Sequence, residues 1–265
     1  MSTFVMSDIH GCYSAFQKML KKVGFDPEKD ELIIAGDLMD RGRENYEMLE
    51  YTAGKPKSVT FLMGNHDWDF IEYVKNLGAL ARDTGTEDDL RALFLSRRFS
   101  SLFRLNVIDY YGTVEDLIMD RKHPVNMADF WRWADVISKF PYYTEREVEG
   151  RKYMIVHAGY MSREAFANAR KRSEVRMYSD IEQFYVWARE EGVLYGGIPN
   201  GTVIFGHTPT IAESGFFNHG KAFIFEKDDR RFIDIDCGCV FREWEPEANL
   251  ACIRLEGEEI FYLYD

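Results

Sequence analysis

Asp8 and His10 stand two residues apart. Along an extended segment, side chains two apart leave on the same face, so this carboxylate and imidazole can bind one ion together. A single pair of this kind recurs by chance, but the pattern returns in Gly36-Asp37-Leu38-Met39-Asp40-Arg41-Gly42, Gly64-Asn65-His66-Asp67, His157-Ala158-Gly159 and Gly206-His207-Thr208. Carboxylate, imidazole and amide oxygen together suit divalent ions such as Mn, Fe or Zn, whereas the four cysteines (Cys12, Cys237, Cys239, Cys252) lack the paired spacing of a thiolate zinc site. Two ions sharing one carboxylate fit the number of donors. Such a pair lowers the pKa of a water held between the ions and so supplies a nucleophile for hydrolysis. Of the six histidines, His10, His66, His157 and His207 fall in these motifs, leaving His123 and His219 with a structural reading.

Each motif follows a short apolar or β-branched run: Phe4–Met6, Leu32–Ala35, Val59–Met63, Tyr153–Val156 and Val203–Phe205, with a sixth, Phe232–Ile235, before Asp236-Cys237-Gly238. Helices are predicted at Ser14–Lys22, from the apolar spacing of Phe16, Met19, Leu20 and Val23, and at Glu44–Tyr51. Strands alternating with helices imply an α/β fold whose strand ends gather the motifs in space. Glycines beside the candidate donors mark sharp turns. On an extended strand end Asn65 and His66 point to opposite sides, so only one of them faces a given ion. Residues 68–140 interrupt the rhythm with helical spacing and are expected to form an insertion over one side of the site. Arg91, Arg97, Arg98 and Arg104 within it read as a solvated helix face, with a substrate-facing basic rim as the alternative. Beyond residue 220 the chain turns mostly β, with turns at Asp228-Asp229 and at 256–258. No repeat or linker divides residues 1–265, so one domain is expected.

The chain has 265 residues, 46% of them hydrophobic, and a net charge of −12. No run reaches the roughly 18 apolar residues of a spanning helix, and the acidic balance argues against electrostatic binding to duplex nucleic acid. The first strand begins at Thr3 and leaves no room for a signal peptide, so a cytoplasmic protein with reduced thiols and no membrane partner is expected.

The ordered series from Asp8-Ile9-His10-Gly11 to Gly206-His207-Thr208 resembles the signature of the calcineurin-like metallophosphoesterases, over about residues 3–67 and 138–240. The Asp-Arg-Gly ending at Gly42, Phe140-Pro141-Tyr142-Tyr143 and the Trp-x-Arg of Val186-Trp187-Ala188-Arg189 resemble the branch that holds phosphoprotein phosphatases, bacterial and phage serine/threonine phosphatases and symmetrical diadenosine tetraphosphatases. The resemblance implies a layered β-sandwich flanked by helices, with a dimetal site at the strand C-terminal ends. It implies that Asp8 and His10 hold the first ion, that Asp37 bridges, and that Asn65, His157 and His207 complete the second. His66 matches the general acid, oriented by Asp40, while Arg41 and Arg189 match arginines that hold phosphate oxygens, and Asp236 lies behind the ligands. Asp67 stands where eukaryotic phosphoprotein phosphatases have Glu, and Ser7 where many relatives have Gly.

The expected cofactors are two divalent ions, Mn first, with Fe or Zn as alternatives. The main functional expectation is a serine/threonine phosphatase-like phosphomonoesterase acting on a phosphoprotein or a small phosphate ester. Its alternative is a symmetrical dinucleoside polyphosphate hydrolase using the same centre on an anhydride. A non-catalytic metal-binding module is the third reading.

Overall fold

The computed structural model describes residues 1–96, 112–211 and 221–264. His219 and three arginines of the expected basic rim, Arg97, Arg98 and Arg104, lie outside them. Six strands fall on the six apolar runs: β1 (Thr3–Met6), β2 (Glu31–Ile34), β3 (Val59–Phe61), β5 (Arg151–Val156), β6 (Gly201–Phe205) and β8 (Arg230–Asp234). Four more complete the sheets: β4 (Tyr143–Val148), β7 (Phe223–Lys227), β9 (Ala251–Arg254) and β10 (Glu259–Tyr262). Asp228-Asp229 turns β7 into β8, and residues 256–258 link β9 to β10, as the turn signals predict.

The strands form two sheets of five, ordered β10-β9-β1-β2-β3 and β4-β5-β6-β8-β7. Within the first, β1, β2 and β3 run parallel; within the second, β5, β6 and β8 do. Side chains alternate between faces along each strand. Val5, Ile33, Ile155, Ile204, Ile233 and Ile253 meet in a core between the sheets. Their neighbours Phe4, Met6, Ile34, Val156, Val203 and Phe205 face outward into a second core with the helices. Both faces of the central strands are thus buried, which is why these runs read as continuous apolar segments.

Helices α1 (Tyr13–Val23) and α2 (Asn45–Gly54) fill the first two crossovers, burying Phe16, Met19, Met48 and Leu49. After β3 the described chain is helical: α3 (Asn65–Thr84), α4 (Leu90–Phe94), α5 (Thr113–Met119) and α6 (Met127–Ile137). Phe70 of α3 stacks on Phe130 of α6 at 6.3 Å, and Phe130 meets Trp133 at 5.5 Å. Arg91 sits half-buried in α4. Three short helices, α7 (Arg163–Lys171), α8 (Ile181–Trp187) and α9 (Glu190–Leu194), separate β5 from β6. Among the described residues no helix is long and apolar enough to cross a membrane.

Because three parallel strands of each sheet end at the same edge, the loops after β1, β2, β3, β5, β6 and β8 converge. Ties between the sheets close that edge: His157 Nδ1 to the Ala35 carbonyl at 2.8 Å, and the His207 N–H to both Asp8 oxygens at 3.1 and 3.2 Å.

Candidate metal centre

Asp37 is the hub. One carboxylate oxygen lies 3.4 Å from His157 Nε2, and the other lies 3.5 Å from His10 Nε2 and 3.9 Å from His66 Nε2. Two groups of donors result, each with its atoms within 4.8 Å of one another: His10, Asp37 and His66, and Asp37, His157 and His207. All five side chains are buried. Asp37 belongs to both groups, the position a shared carboxylate must take.

The imidazoles are oriented for coordination. His10 Nδ1 sits 2.8 Å from the Met39 carbonyl, as His157 Nδ1 does from that of Ala35, and these bonds leave Nε2 with its lone pair directed inward. His157 Nε2 then faces Asn65 Oδ1 at 2.9 Å, one acceptor against another, an arrangement a common cation resolves. Among the described residues, His207 Nε2 is buried and has no hydrogen-bond partner. The donor set therefore fits a pair of divalent ions.

Protonation follows the same logic, since ligands bind metal deprotonated. Burial pushes His10, His157 and His207 below the ordinary imidazole range, against the opposing pull of Asp37. For Asp37 burial acts upward, but the surrounding histidines outweigh it and hold the carboxyl below its usual range. Burial raises Asp8, reinforced by Asp236 and Asp37, and lifts Asp236 to about 7. A cation is the natural counterpart of carboxylates crowded in this way.

The backbone is strained where the donors sit. Of eleven non-glycine residues with positive φ among the described residues, six are Asp8, His10, Asp37, Asp40, Arg41 and His207. The extended segment expected for Asp8 and His10 is therefore absent: both are left-handed, with φ of 51° and 45°. Asp8 turns its carboxylate to the His207 N–H and falls in neither donor group. The premise for Asn65 and His66 also changes. They open α3, where successive side chains diverge by about 100°, so both face the hub and His66 joins the first group. Gly206 has to be glycine because a Cβ there would run into Asp8 Oδ2 and Ser7 Oγ.

His66 Nδ1 bonds Asp40 Oδ2 at 2.6 Å, so Asp40 orients the ring and leaves Nε2 toward the centre. The other Asp40 oxygen accepts from the Thr113 hydroxyl of α5. Arg41 reaches His10 Nε2. Arg189 stands exposed at the start of α9, with Nη1 2.8 Å from Thr208 Oγ1, beside His207. Asp236 is buried behind the centre and accepts the Gly238 N–H at 2.9 Å. His123 lies apart, bonded to Asp120 at 2.8 Å and stacked on Tyr46.

Three supports escaped the sequence reading. Asp67 accepts N–H groups from Asp37 (2.9 Å), Leu38 (3.1 Å) and Gly64 (3.0 Å), capping α3 while fixing the hub loop. Its place three residues after the cap was the available signal. Asn45 braces the left-handed turn by accepting the Asp40 N–H at 3.0 Å and donating to the Gly42 carbonyl at 2.7 Å. Thr113, 73 residues from Asp40, carries no local signal.

The profile of the calcineurin-like phosphoesterases matches residues 1–235. The chain is 29% identical to a symmetrical bis(5'-nucleosyl)-tetraphosphatase of Buchnera aphidicola subsp. Schizaphis graminum, over 99% of this chain and 97% of that protein. A second symmetrical bis(5'-nucleosyl)-tetraphosphatase, of Actinobacillus succinogenes, is 36% identical over 38% of this chain and 36% of its own length. Among solved structures, a putative diadenosine tetraphosphatase superposes with TM-score 0.53 at 18% identity, covering 98% of this chain and 92% of that one. A Saccharomyces cerevisiae protein serine/threonine phosphatase, described as similar to human phosphatase PP5, superposes with TM-score 0.58 at 11% identity, covering 100% and 80%. At these identities the superpositions speak for the fold. The motif order, the paired sheets, the convergent donors and the profile agree: the chain belongs to the calcineurin-like phosphoesterase family and is a metal-dependent phosphoester hydrolase.

Proposed function

We propose that the protein splits dinucleoside tetraphosphates symmetrically, releasing two nucleoside diphosphates. The observation that carries this reading is the end-to-end similarity to a symmetrical bis(5'-nucleosyl)-tetraphosphatase, over 99% of this chain. The comparisons thus favour the alternative of the two enzymatic expectations. The serine/threonine phosphatase reading keeps only a fold-level likeness at 11% identity.

The two groups around Asp37 would hold the ions, Asn65 joining His157 and His207, and Asp8 joining His10 from beside the His207 N–H. Mn²⁺ is the proposed ion, because every donor is oxygen or nitrogen. When bound, the ions supply Lewis-acid polarisation of phosphoryl oxygens and an acidified water. The rest falls to side chains. Arg41 and Arg189, exposed on either side of the donor cluster, offset phosphate charge with planar paired contacts, so an acidic chain can take a polyanion. His66, held by Asp40, is placed to hand a proton to a departing oxygen that needs one, an alkoxide far more than a nucleoside diphosphate. Asp236 restrains the loop after β8 from behind.

Assaying the Mn²⁺-loaded protein against diadenosine tetraphosphate, a phosphopeptide and p-nitrophenyl phosphate tests the reading. The expected result is a kcat/KM highest for the dinucleotide, with ADP as sole nucleotide product; formation of AMP and ATP, or a preference for the phosphopeptide, overturns it. Chelation should abolish turnover and Mn²⁺ should restore it.

A further inference from the structure

Beside the donor cluster a cleft of about 370 Å³ opens between the start of α1, the Arg41–Glu44 turn and the segment after β8. That size lies within the range of small-molecule sites. Arg41 belongs to both places: its guanidinium reaches His10, and the same side chain lines the cleft. Trp244 lines the cleft and is 65% exposed. So large an apolar surface is unexplained by packing. The segment carrying it is braced: the Trp244 N–H bonds the Phe241 carbonyl at 2.9 Å, and Arg242 lies 4.6 Å from the Tyr264 ring while donating to the Ala248 carbonyl at 3.0 Å. Lys18, Arg41, Arg43 and Arg242 outnumber Glu44 and Glu243 along the walls, leaving the cleft positive in a chain of net charge −12.

A flat aromatic face, positive walls and continuity with a phosphate-cleaving centre through one arginine are the features of a nucleotide subsite. The geometry points to this cleft as the seat of one purine nucleoside of the substrate, the base stacked on Trp244 and the phosphate arm led past Arg41 to the centre. This inference rests on the dinucleotide reading and adds the place where a base is recognised. A small phosphate ester would leave the cleft unused.

Inhibition of p-nitrophenyl phosphate hydrolysis by ADP and by inorganic pyrophosphate, on the Mn²⁺-loaded full chain, separates base from phosphate. Trp244→Ala should raise the inhibition constant of ADP about tenfold, as expected for one lost base stack. It should leave pyrophosphate inhibition and p-nitrophenyl phosphate turnover as they were. Trp244→Phe should keep most of the ADP affinity, and calorimetric ADP binding should move in step with inhibition. Unchanged ADP affinity in Trp244→Ala, or equal shifts for ADP and pyrophosphate, overturns the subsite. So does a phosphopeptide whose KM alone responds. The two readings fail separately. ADP affinity that depends on Trp244 in a protein unable to cleave diadenosine tetraphosphate sinks only the symmetrical hydrolase, while normal dinucleotide KM in Trp244→Ala sinks only the subsite.

Discussion

The two ends of the parallel strands use the same residue types to opposite effect. At their C-terminal ends, Asp8, Asp37 and Asp236 are buried within reach of one another's charge, beside His10, His157 and His207, whose imidazoles burial pushes below their ordinary range. At the ends where β5, β6 and β8 begin, charges alternate in sign: Glu258 takes Arg231 at 2.7 Å, Arg151 at 3.2 Å and the Tyr153 hydroxyl at 2.8 Å. A hollow of about 600 Å³ lies there too, lined by Arg230, Asp228 and Glu226 among others. One end neutralises its charge internally. The other concentrates like charge in the interior on left-handed backbone, a cost that folding alone does not favour and that a bound cation offsets. Polarity and concavity do not separate the two ends, whereas uncompensated charge does.

The sharpest way to break this contrast is to remove the shared carboxylate. Asp37→Asn should lower metal content from two ions per chain and reduce turnover on the order of 10³-fold or more, the scale of losing several kcal/mol of charge stabilisation. Two ions bound as in the wild type, measured by elemental analysis, would remove Asp37 from its bridging place.

His66 comes next, and its position in the first donor group makes the test decisive. As an acid held by Asp40, it should be replaceable by Asn with both ions retained. The expected loss is about 10²–10³-fold on alkyl phosphates with poor leaving groups. It should be far smaller on p-nitrophenyl phosphate and on dinucleoside tetraphosphates, whose leaving groups scarcely need a proton. Loss of one ion in His66→Asn would instead make it a ligand, the role its 3.9 Å approach to Asp37 also permits.

Much of this site is legible in the sequence because its residues follow apolar runs in order, and parallel strands bring successive ends to one edge. The six strands, α1 and α2 came from that periodicity. Distances along the chain did not show how the loops bend. The spacing implies an extended segment for Asp8 and His10 and a strand end for Asn65, whereas the loops are left-handed or helical: the Asp8 and His10 N–H groups donate to the Gly36 and Asp37 carbonyls, and Asp67, Asn45 and the Asp37 carboxylate accept the N–H groups of Asp37, Asp40 and His66. Such supports are individually ordinary residues. β4 and β7 alternate between half-buried and exposed positions and, like β10, lie at sheet edges, so they lack the continuous apolar run that marks the central strands, whereas β9 is a short buried strand between β10 and β1.

Thr113 tests whether the helical segment serves the centre. Its hydroxyl holds Asp40, which holds His66, so it acts as a positioning residue. Thr113→Val should keep the fold and both ions while lowering kcat on poor leaving groups by about 3- to 10-fold, the worth of one hydrogen bond of roughly 0.5–1.5 kcal/mol. Thr113→Ser should restore it. An equal loss on p-nitrophenyl phosphate would point to general loosening and not to the acid.

The smallest effect belongs to the paired end. For Glu258, burial acts upward, but hydrogen bonds from Tyr153 and Arg231 and the charges of Arg231 and Arg151 outweigh it and set the carboxyl below its ordinary 4.5. A carboxyl depressed by folding adds stability that is present above its unfolded value and disappears as pH falls through the folded one. Glu258→Gln should therefore be less stable than the wild type near neutrality. Partly solvated pairs are worth little, so the gap should be within about 1 kcal/mol. It should narrow as the pH is lowered past 4.5. Urea unfolding at pH 7, 5 and 4 measures this, and turnover on every substrate should stay at the wild-type level. A stability gap that widened toward acid, or a change in activity, would show that this end of the strands is not the internally compensated surface its ion pairs describe.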